Sequence, residues 1–313
     1  MKNFFLLLFI CLIWANASGS LVMVRADSNE TYLSSPSKMN LTDVIHSFNP
    51  NVDTIVYIHG YMNDFNGAKS QYSGAVNIMK PILGDRNYIG FHWPSKVIWF
   101  GTAIKNANQA GEYLVYALTE INKFYNGNGR KIHVVCHSLG GRVLLDTLAC
   151  PEAPYLPWGN LCLMAPAVHS NAHTTDFPGT YRFGKAQYVY HSTKDGILKY
   201  LYTLYYWLFG KGREELEYNR NAEMEAWLKK SWEEQRAYLT NLEKKLASGW
   251  TPTSELDKML AESLKISATR AMGISGSQII GKVINMNYTP YAPSHSSYWG
   301  SEILKKIASE KLK

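Results

Sequence analysis

Short, continuous apolar runs alternate along this chain with longer stretches whose apolar residues recur at helical spacing. Thr54-Ile55-Val56-Tyr57-Ile58 is apolar and β-branched throughout, the pattern of a strand buried on both faces. Tyr88 to Trp93 is a second such run, stopped by Pro94, and Ile132 to Cys136 a third. Between them, from about Thr102 to Tyr125, the residues Ala103, Ala107, Ala110, Leu114, Leu118, Ile121 and Phe124 fall on one side of a helix. Asn126-Gly127-Asn128-Gly129 ends it. Val143 to Leu148 predicts a further helix. Leu161 to Met164, Tyr188 to Tyr190 and Val283 to Met286 predict later strands, and Trp299 to Ile307 a closing helix. Strands alternating with helices predict an α/β fold on a doubly wound, mostly parallel sheet covered on both faces.

One region breaks the alternation. From Ile197 to about Ile274 no strand pattern occurs. An aromatic stretch, Ile197 to Phe209, is ended by Gly210, and a long charged helix is predicted from about Glu214 to Ala247. Leu216, Met224, Trp227, Leu228, Leu239, Leu242 and Leu246 carry its apolar face, with a period of about 3.6 residues. A shorter helix is predicted from about Glu255 to Ala271. Residues 197–274 therefore read as a helical insertion between 18–196 and 275–313, which form the α/β core. Its apolar faces suit ordinary internal packing, or a lid lining an acyl pocket and touching lipid.

Composition narrows the function classes. With 313 residues, 46% hydrophobic and 18% charged, the chain can bury a full core and is neither a disordered tail nor a multi-pass membrane protein. The net charge of +7 is dispersed among acidic neighbours, without a basic run or an aromatic-interleaved motif, so no nucleic-acid partner is expected. Met1-Lys2-Asn3, the apolar run Phe4 to Trp14 and Ala15-Asn16-Ala17 read as a secretory signal over 1–17, or alternatively as a retained membrane anchor. The expected location is secreted or in the cell envelope. Cys136, Cys150 and Cys162 would remain after cleavage. An odd count fits buried thiols, and spacing alone leaves a Cys150–Cys162 bridge open.

The strongest chemical signal is Val134-Val135-Cys136-His137-Ser138-Leu139-Gly140-Gly141-Arg142: a buried strand ends, a serine sits on a tight turn and a helix begins. That is the context of a nucleophile elbow, where small residues are needed either side of the serine because strand and helix backbones crowd together. Cys136 stands where glycine is usual. The Leu139 N–H, at the positive end of the helix, can donate to a developing oxyanion. Ile58-His59-Gly60-Tyr61 follows the first buried strand, where a loop bent back at glycine can turn an N–H near Tyr61 toward the same carbonyl. His59 reads as a loop brace. In this fold the acid and then the base follow the nucleophile in chain order. Asp195, just past the strand Tyr188–Tyr190, and His295, after the last strand, fit that order. Asp176 is the rival acid, and His169, His173 and His191 are rival bases. The His169/His173 pair lacks the companions of a metal motif, and no phosphate loop occurs, so no cofactor is expected.

With these residues in order, the chain resembles the α/β-hydrolase superfamily, and within it a bacterial serine-esterase-like family. That family pairs an HGY loop with a Trp-Pro-Ser segment, here His59-Gly60-Tyr61 and Trp93-Pro94-Ser95. Its elbow is matched by His137-Ser138-Leu139-Gly140, its acid segment by Ser192, Asp195 and Leu198, and its base segment by His295-Ser296 and Tyr298. The likeness covers roughly 50–198 and 276–300 and leaves the insertion unmatched. It implies cleavage of carboxylic esters through Ser138, His295 and Asp195, with Tyr61 and Leu139 as oxyanion donors. The expected partner is a small-molecule or lipid-like ester, with peripheral membrane contact through the insertion. Acyl transfer from the same acyl-enzyme, or a non-catalytic binding protein on this fold, are the other readings.

Overall fold

The structure is a computed structural model and describes residues 21–97, 100–202, 226–227, 230–254, 256–258, 260–261, 271–279 and 281–313. Its frame is a seven-stranded sheet built from β1 (Leu21–Arg25), β2 (Thr54–Ile58), β3 (Asn87–His92), β4 (Ile132–His137), β5 (Trp158–Met164), β6 (Gln187–His191) and β7 (Val283–Asn287). The spatial order is β1-β3-β2-β4-β5-β6-β7, and every pairing is parallel. The central strands β2, β4 and β5 are buried at every position, whereas β7 on the edge is mostly exposed. The doubly wound, parallel architecture expected from the sequence is the one observed.

Strand order reverses between β2 and β4. Because parallel crossovers are right-handed, helices made before and after that reversal cover opposite faces of the sheet. Accordingly α2 (Phe65–Leu83) packs with the last helix, Ser301–Lys311, while α3 (Phe100–Tyr125) packs with α4 (Gly140–Ala149). A short helix, α1 (Leu41–His46), precedes β2. The reversal is also where the carboxyl ends of β2 and β4 diverge. Ligands of open α/β sheets bind there.

Three expectations need correction. β5 begins at Trp158 rather than Leu161: Gly159-Asn160 looks like a turn but is strand, because the His133 ring fills the place of a Cβ on Gly159, 2.6 Å away. The charged helix of the insertion, α5 (Trp232–Ala247), starts at Trp232. Ser231 caps it, accepting from the Glu234 N–H while the Glu234 carboxylate accepts from the Ser231 N–H, so no helix runs through from Glu214. The closing helix starts at Ser301, after a 3-10 turn over His295–Trp299. A one-turn helix, α6 (Met272–Ser275), leads back to the sheet, so the closing helix is α7. The proposed signal at 1–17 and most of the aromatic stretch and second insertion helix lie outside the described residues. Among the described residues no helix is long and apolar enough to cross a membrane.

Candidate active site

At the end of β4 the backbone turns through Ser138 at a φ of +54°, in the left-handed region that L side chains rarely adopt. Such a residue costs on the order of 1–3 kcal/mol and persists only where its surroundings over-determine it. Here the Ser138 N–H donates to the Met164 carbonyl at 2.9 Å, and its own carbonyl accepts from the N–H groups of Gly141 and Ala167, each at 3.0 Å. Glycine is required on both sides of the contact. A Cβ on Gly140 would lie 2.6 Å from the carbonyl oxygens of Ile58 and His59, and one on Gly60 would lie 2.7 Å from the Ser138 Cβ. The loop after β2 therefore touches the serine backbone to backbone. Cys136, in the place expected for glycine, is fully buried, and its thiol points to the Cys162 carbonyl at 3.6 Å. Burial pushes that thiol well above its ordinary range, so it is inert beside the serine. All three described cysteines are free, and the Cys150–Cys162 bridge left open by the sequence is not formed.

The His59-Gly60-Tyr61 loop is braced by the segment after β3. The Trp93 indole N–H donates to the His59 carbonyl at 3.1 Å, and its ring stacks on the His59 imidazole, 4° from parallel. The Ser95 carbonyl accepts from Met62 N–H at 3.1 Å, and the Ser95 hydroxyl accepts from the Asn63 N–H. Met62 also sits at positive φ, +62°, which turns the loop back toward the elbow. The Tyr61 hydroxyl donates to the Val97 carbonyl at 2.8 Å, so its side chain anchors the loop and only its main chain could serve the reacting carbonyl. Leu139 is buried as the N-cap of α4, where the first amides of a helix have no partner within it. His59 is a brace. Its Nδ1 faces the Gly60 carbonyl at 2.9 Å and its Nε2 faces His92 at 3.0 Å, and burial drops it to about 3, the neighbouring His92 adding to the effect.

Asp195 and His295 come together. The Asp195 Oδ2 accepts from His295 Nδ1 at 2.7 Å, and its Oδ1 accepts from the Leu198 N–H at 3.0 Å. Asp195 is completely buried, and His295 retains 12% side-chain exposure. The two loops are tied independently, since the Ser192 hydroxyl donates to the Ala292 carbonyl at 2.8 Å and the Tyr288 N–H donates to the His191 carbonyl at 2.8 Å. With Nδ1–H committed to the carboxylate, the remaining ring nitrogen of His295 carries a lone pair, the tautomer a general base requires.

His137, part of the elbow motif, has a role that the motif does not reveal. Its Nε2 lies 2.8 Å from the His295 carbonyl, and the two rings are 4.6 Å apart between centroids. Burial, with His295 beside it, holds His137 well below the ordinary histidine range. The neutral ring donates Nε2–H to that carbonyl and binds the His295 loop to the residue next to Ser138.

The rival residues have other partners. Asp176 is exposed and meets Arg142 at 3.8 Å. His191 Nδ1 faces the Ile274 carbonyl at 3.2 Å, and His173 Nδ1 faces the Thr180 hydroxyl at 2.9 Å. His169 packs its ring on Tyr202 and bridges to Ala271.

A family model for an alpha/beta hydrolase of unknown function, DUF900, matches residues 36–204, more than half of the chain. The protein belongs to this α/β-hydrolase family. The matched span holds the His-Gly loop, the elbow and Asp195, while His295 lies beyond it. No protein of curated function matches. Among solved structures the α/β hydrolase is similar to an esterase from Thermogutta terrifontis with butyrate bound, at 10% identity over 84% of this chain and 82% of that one, TM-score 0.36. It is also similar to a lipase from Bacillus licheniformis, at 17% identity over 52% of this chain and 76% of that one, TM-score 0.32. An esterase from Pyrobaculum calidifontis matches at 13% identity over 83% and 76%, TM-score 0.32. Likeness at this level says nothing of what this chain acts on.

Proposed function

We propose that this α/β hydrolase cleaves carboxylic esters through a serine acyl-enzyme, with Ser138 as nucleophile, His295 as base and Asp195 as the carboxylate that orients it. One observation carries the reading: a histidine bonded through Nδ1 to a buried carboxylate at 2.7 Å belongs to a loop fastened to His137, next to a serine at positive φ. In the first half-reaction the Ser138 Oγ attacks the ester carbonyl carbon and its proton passes to His295 Nε2. The Asp195 carboxylate stabilises the imidazolium so formed. The carbonyl oxygen, now negative, takes hydrogen bonds from the main-chain N–H groups at Tyr61 and Leu139, each worth on the order of 3 kcal/mol. Collapse expels the alkoxide, which leaves as alcohol with the proton from His295. Water then attacks the acyl-enzyme while His295 takes its proton, the acid is released, and the proton returns to Ser138.

The test is turnover of p-nitrophenyl esters of increasing chain length. The parent protein should hydrolyse at least the short esters, and Ser138→Ala should reduce kcat to the background. Equal turnover by the two proteins would refute the assignment. An ester product in place of free acid when alcohols are added would redirect it to acyl transfer.

A further inference from the structure

Behind the His-Gly loop, away from the nucleophile, two buried donors and one half-buried one converge that the reaction above does not use. Asp27 lies in a small ribbon formed by Asp27–Ser28 and Thr31–Tyr32, Glu30 is in its turn, and His92 is the last residue of β3. The His92 Nε2 stands 3.6 Å from Asp27 Oδ1 and 3.6 Å from Glu30 Oε1. All three ligand atoms fall within 4.8 Å of one another. The His92 side chain is fully buried, and its Nε2 has no hydrogen-bond partner. The buried Oε2 of Glu30 has none either.

The protons on the two imidazoles can be assigned from their partners. His59 Nε2 faces the Trp93 N–H at 3.3 Å, so that nitrogen is an acceptor and the ring proton of His59 sits on Nδ1, toward the Gly60 carbonyl. His92 Nδ1, 3.0 Å from the same acceptor, must then be the donor. That leaves a bare lone pair on His92 Nε2 aimed at two carboxylates. A proton there would not repair the contact, because a charge-assisted N–H to carboxylate bond closes to about 2.8 Å and these gaps are wider. A metal ion would. Two ligands of a tetrahedral ion, each about 2.1 Å from it, sit about 3.4 Å apart, close to the spacing found. The second nitrogen of a metal-bound imidazole characteristically donates to an acceptor, as His92 Nδ1–H does to His59.

Other charges around the pocket allow this. Arg25 reaches both oxygens of Asp27, at long distances of 3.3 Å, and stacks over Phe65. Asp27 Oδ2 also accepts from the Glu30 N–H at 3.0 Å. Asp64 and Lys96 pair with each other nearby at 2.8 Å. Two carboxylates against one guanidinium leave a net negative pocket. Asn29 and Glu30 both take positive φ to present the turn, a conformation in which glutamate is uncommon.

We infer that Asp27, Glu30 and His92 form a binding site for a divalent transition-metal ion of the zinc type. One nitrogen and two carboxylate donors exclude the all-oxygen preference of calcium and magnesium and suit zinc. The ion is structural. It fixes His92, which fixes His59, which holds the Gly60 carbonyl and with it the loop against Ser138.

The inference is independent of the ester reading, and its test reads metal rather than turnover. Untagged protein, stripped with a chelator and dialysed, is titrated with Zn²⁺ alone by calorimetry, and metal content is measured after desalting. One Zn²⁺ per chain is expected, with a melting temperature raised by several degrees on loading. Glu30→Gln keeps the size of a partly exposed side chain and should weaken binding on the order of tenfold to a hundredfold. Asp27→Asn should do the same, and Asp176→Asn, remote from the pocket, should not. Failure to take up stoichiometric Zn²⁺ would overturn the site. So would uptake that survives unchanged in both Glu30→Gln and Asp27→Asn.

Discussion

His295 and Asp195 are separated by 100 residues and joined by a 2.7 Å hydrogen bond from Nδ1 to Oδ2. The bond decides which nitrogen of His295 keeps its lone pair. Asp195→Asn is nearly isosteric but offers Nδ1–H an amide that can present a donor, so the ring loses the tautomer that the proposed mechanism needs. We expect kcat for ester hydrolysis to fall by about 10³–10⁴-fold with KM little changed. Steady-state kinetics at saturating ester separates the two parameters.

The His137 bond to the His295 carbonyl has its own consequence. His137→Phe keeps a ring of similar shape in the pocket but removes the donor to that partly buried carbonyl, at a cost of about 1 kcal/mol. The base loop is then held only from the Asp195 side. A displacement of about 1 Å is enough to cost on the order of 10²-fold in rate. The expected result is a lower kcat at unchanged KM, together with a lower melting temperature. His137→Gln, which retains an N–H donor, should recover part of both.

Gly60 and Gly140 differ in what an added methyl would strike. On Gly140 it meets the carbonyl oxygens of Ile58 and His59 at 2.6 Å, main-chain atoms of a central strand and its loop that cannot give way. Gly140→Ala should therefore destabilise the fold by about 1–3 kcal/mol or more, measured by urea denaturation. On Gly60 it meets the Ser138 Cβ at 2.7 Å and the His137 carbonyl at 3.1 Å, where the loop bears on the serine. Gly60→Ala should cost activity more than stability, because the loop is pushed off the serine.

Asp146 on α4 gives a pH signature. Burial, and secondarily Glu112, raise its carboxyl to about 6 against the pull of Arg142. A Cβ on Gly111 would collide with its side chain, so α3 closes directly over it. Its folded pKa exceeds its unfolded one. The stability it contributes is present below about pH 4 and is lost as pH rises through about 6. Asp146→Asn should melt above the parent at pH 8, with the gap closing toward pH 4. Comparing the two proteins cancels the buried histidines, whose lowered values act in the opposite direction.

Much of this was legible in the sequence because it depends on local pattern. β2, β3, β4 and β6 are buried runs bounded by turn residues, and the elbow shows itself as strand, serine, glycine and helix in nine residues. Asp195 and His295 could be chosen because they follow strand ends in the order the topology demands. Other features left little trace. β1 is a short edge strand, only half-buried. In α2 the residues Gly67, Gly74 and Pro81 blur an amphipathic face whose buried members include Ala68, Tyr72, Ala75, Val76 and Met79. The role of His137 depends on a loop arriving from 158 positions away. Asp27, Glu30 and His92 meet only because β1 lies beside β3 and carries the ribbon with it. No spacing rule links them.

In the proposed mechanism Ser138 is an activated nucleophile served by His295. A fluorophosphonate probe reports on that serine by mass on the tryptic peptide 132–142, in which Ser138 is the only serine. One adduct is expected on that peptide in the parent, none in Ser138→Ala, and labelling slowed by several orders of magnitude in His295→Ala. An unlabelled Ser138 in folded protein, or labelling that proceeds as fast without His295, would contradict it.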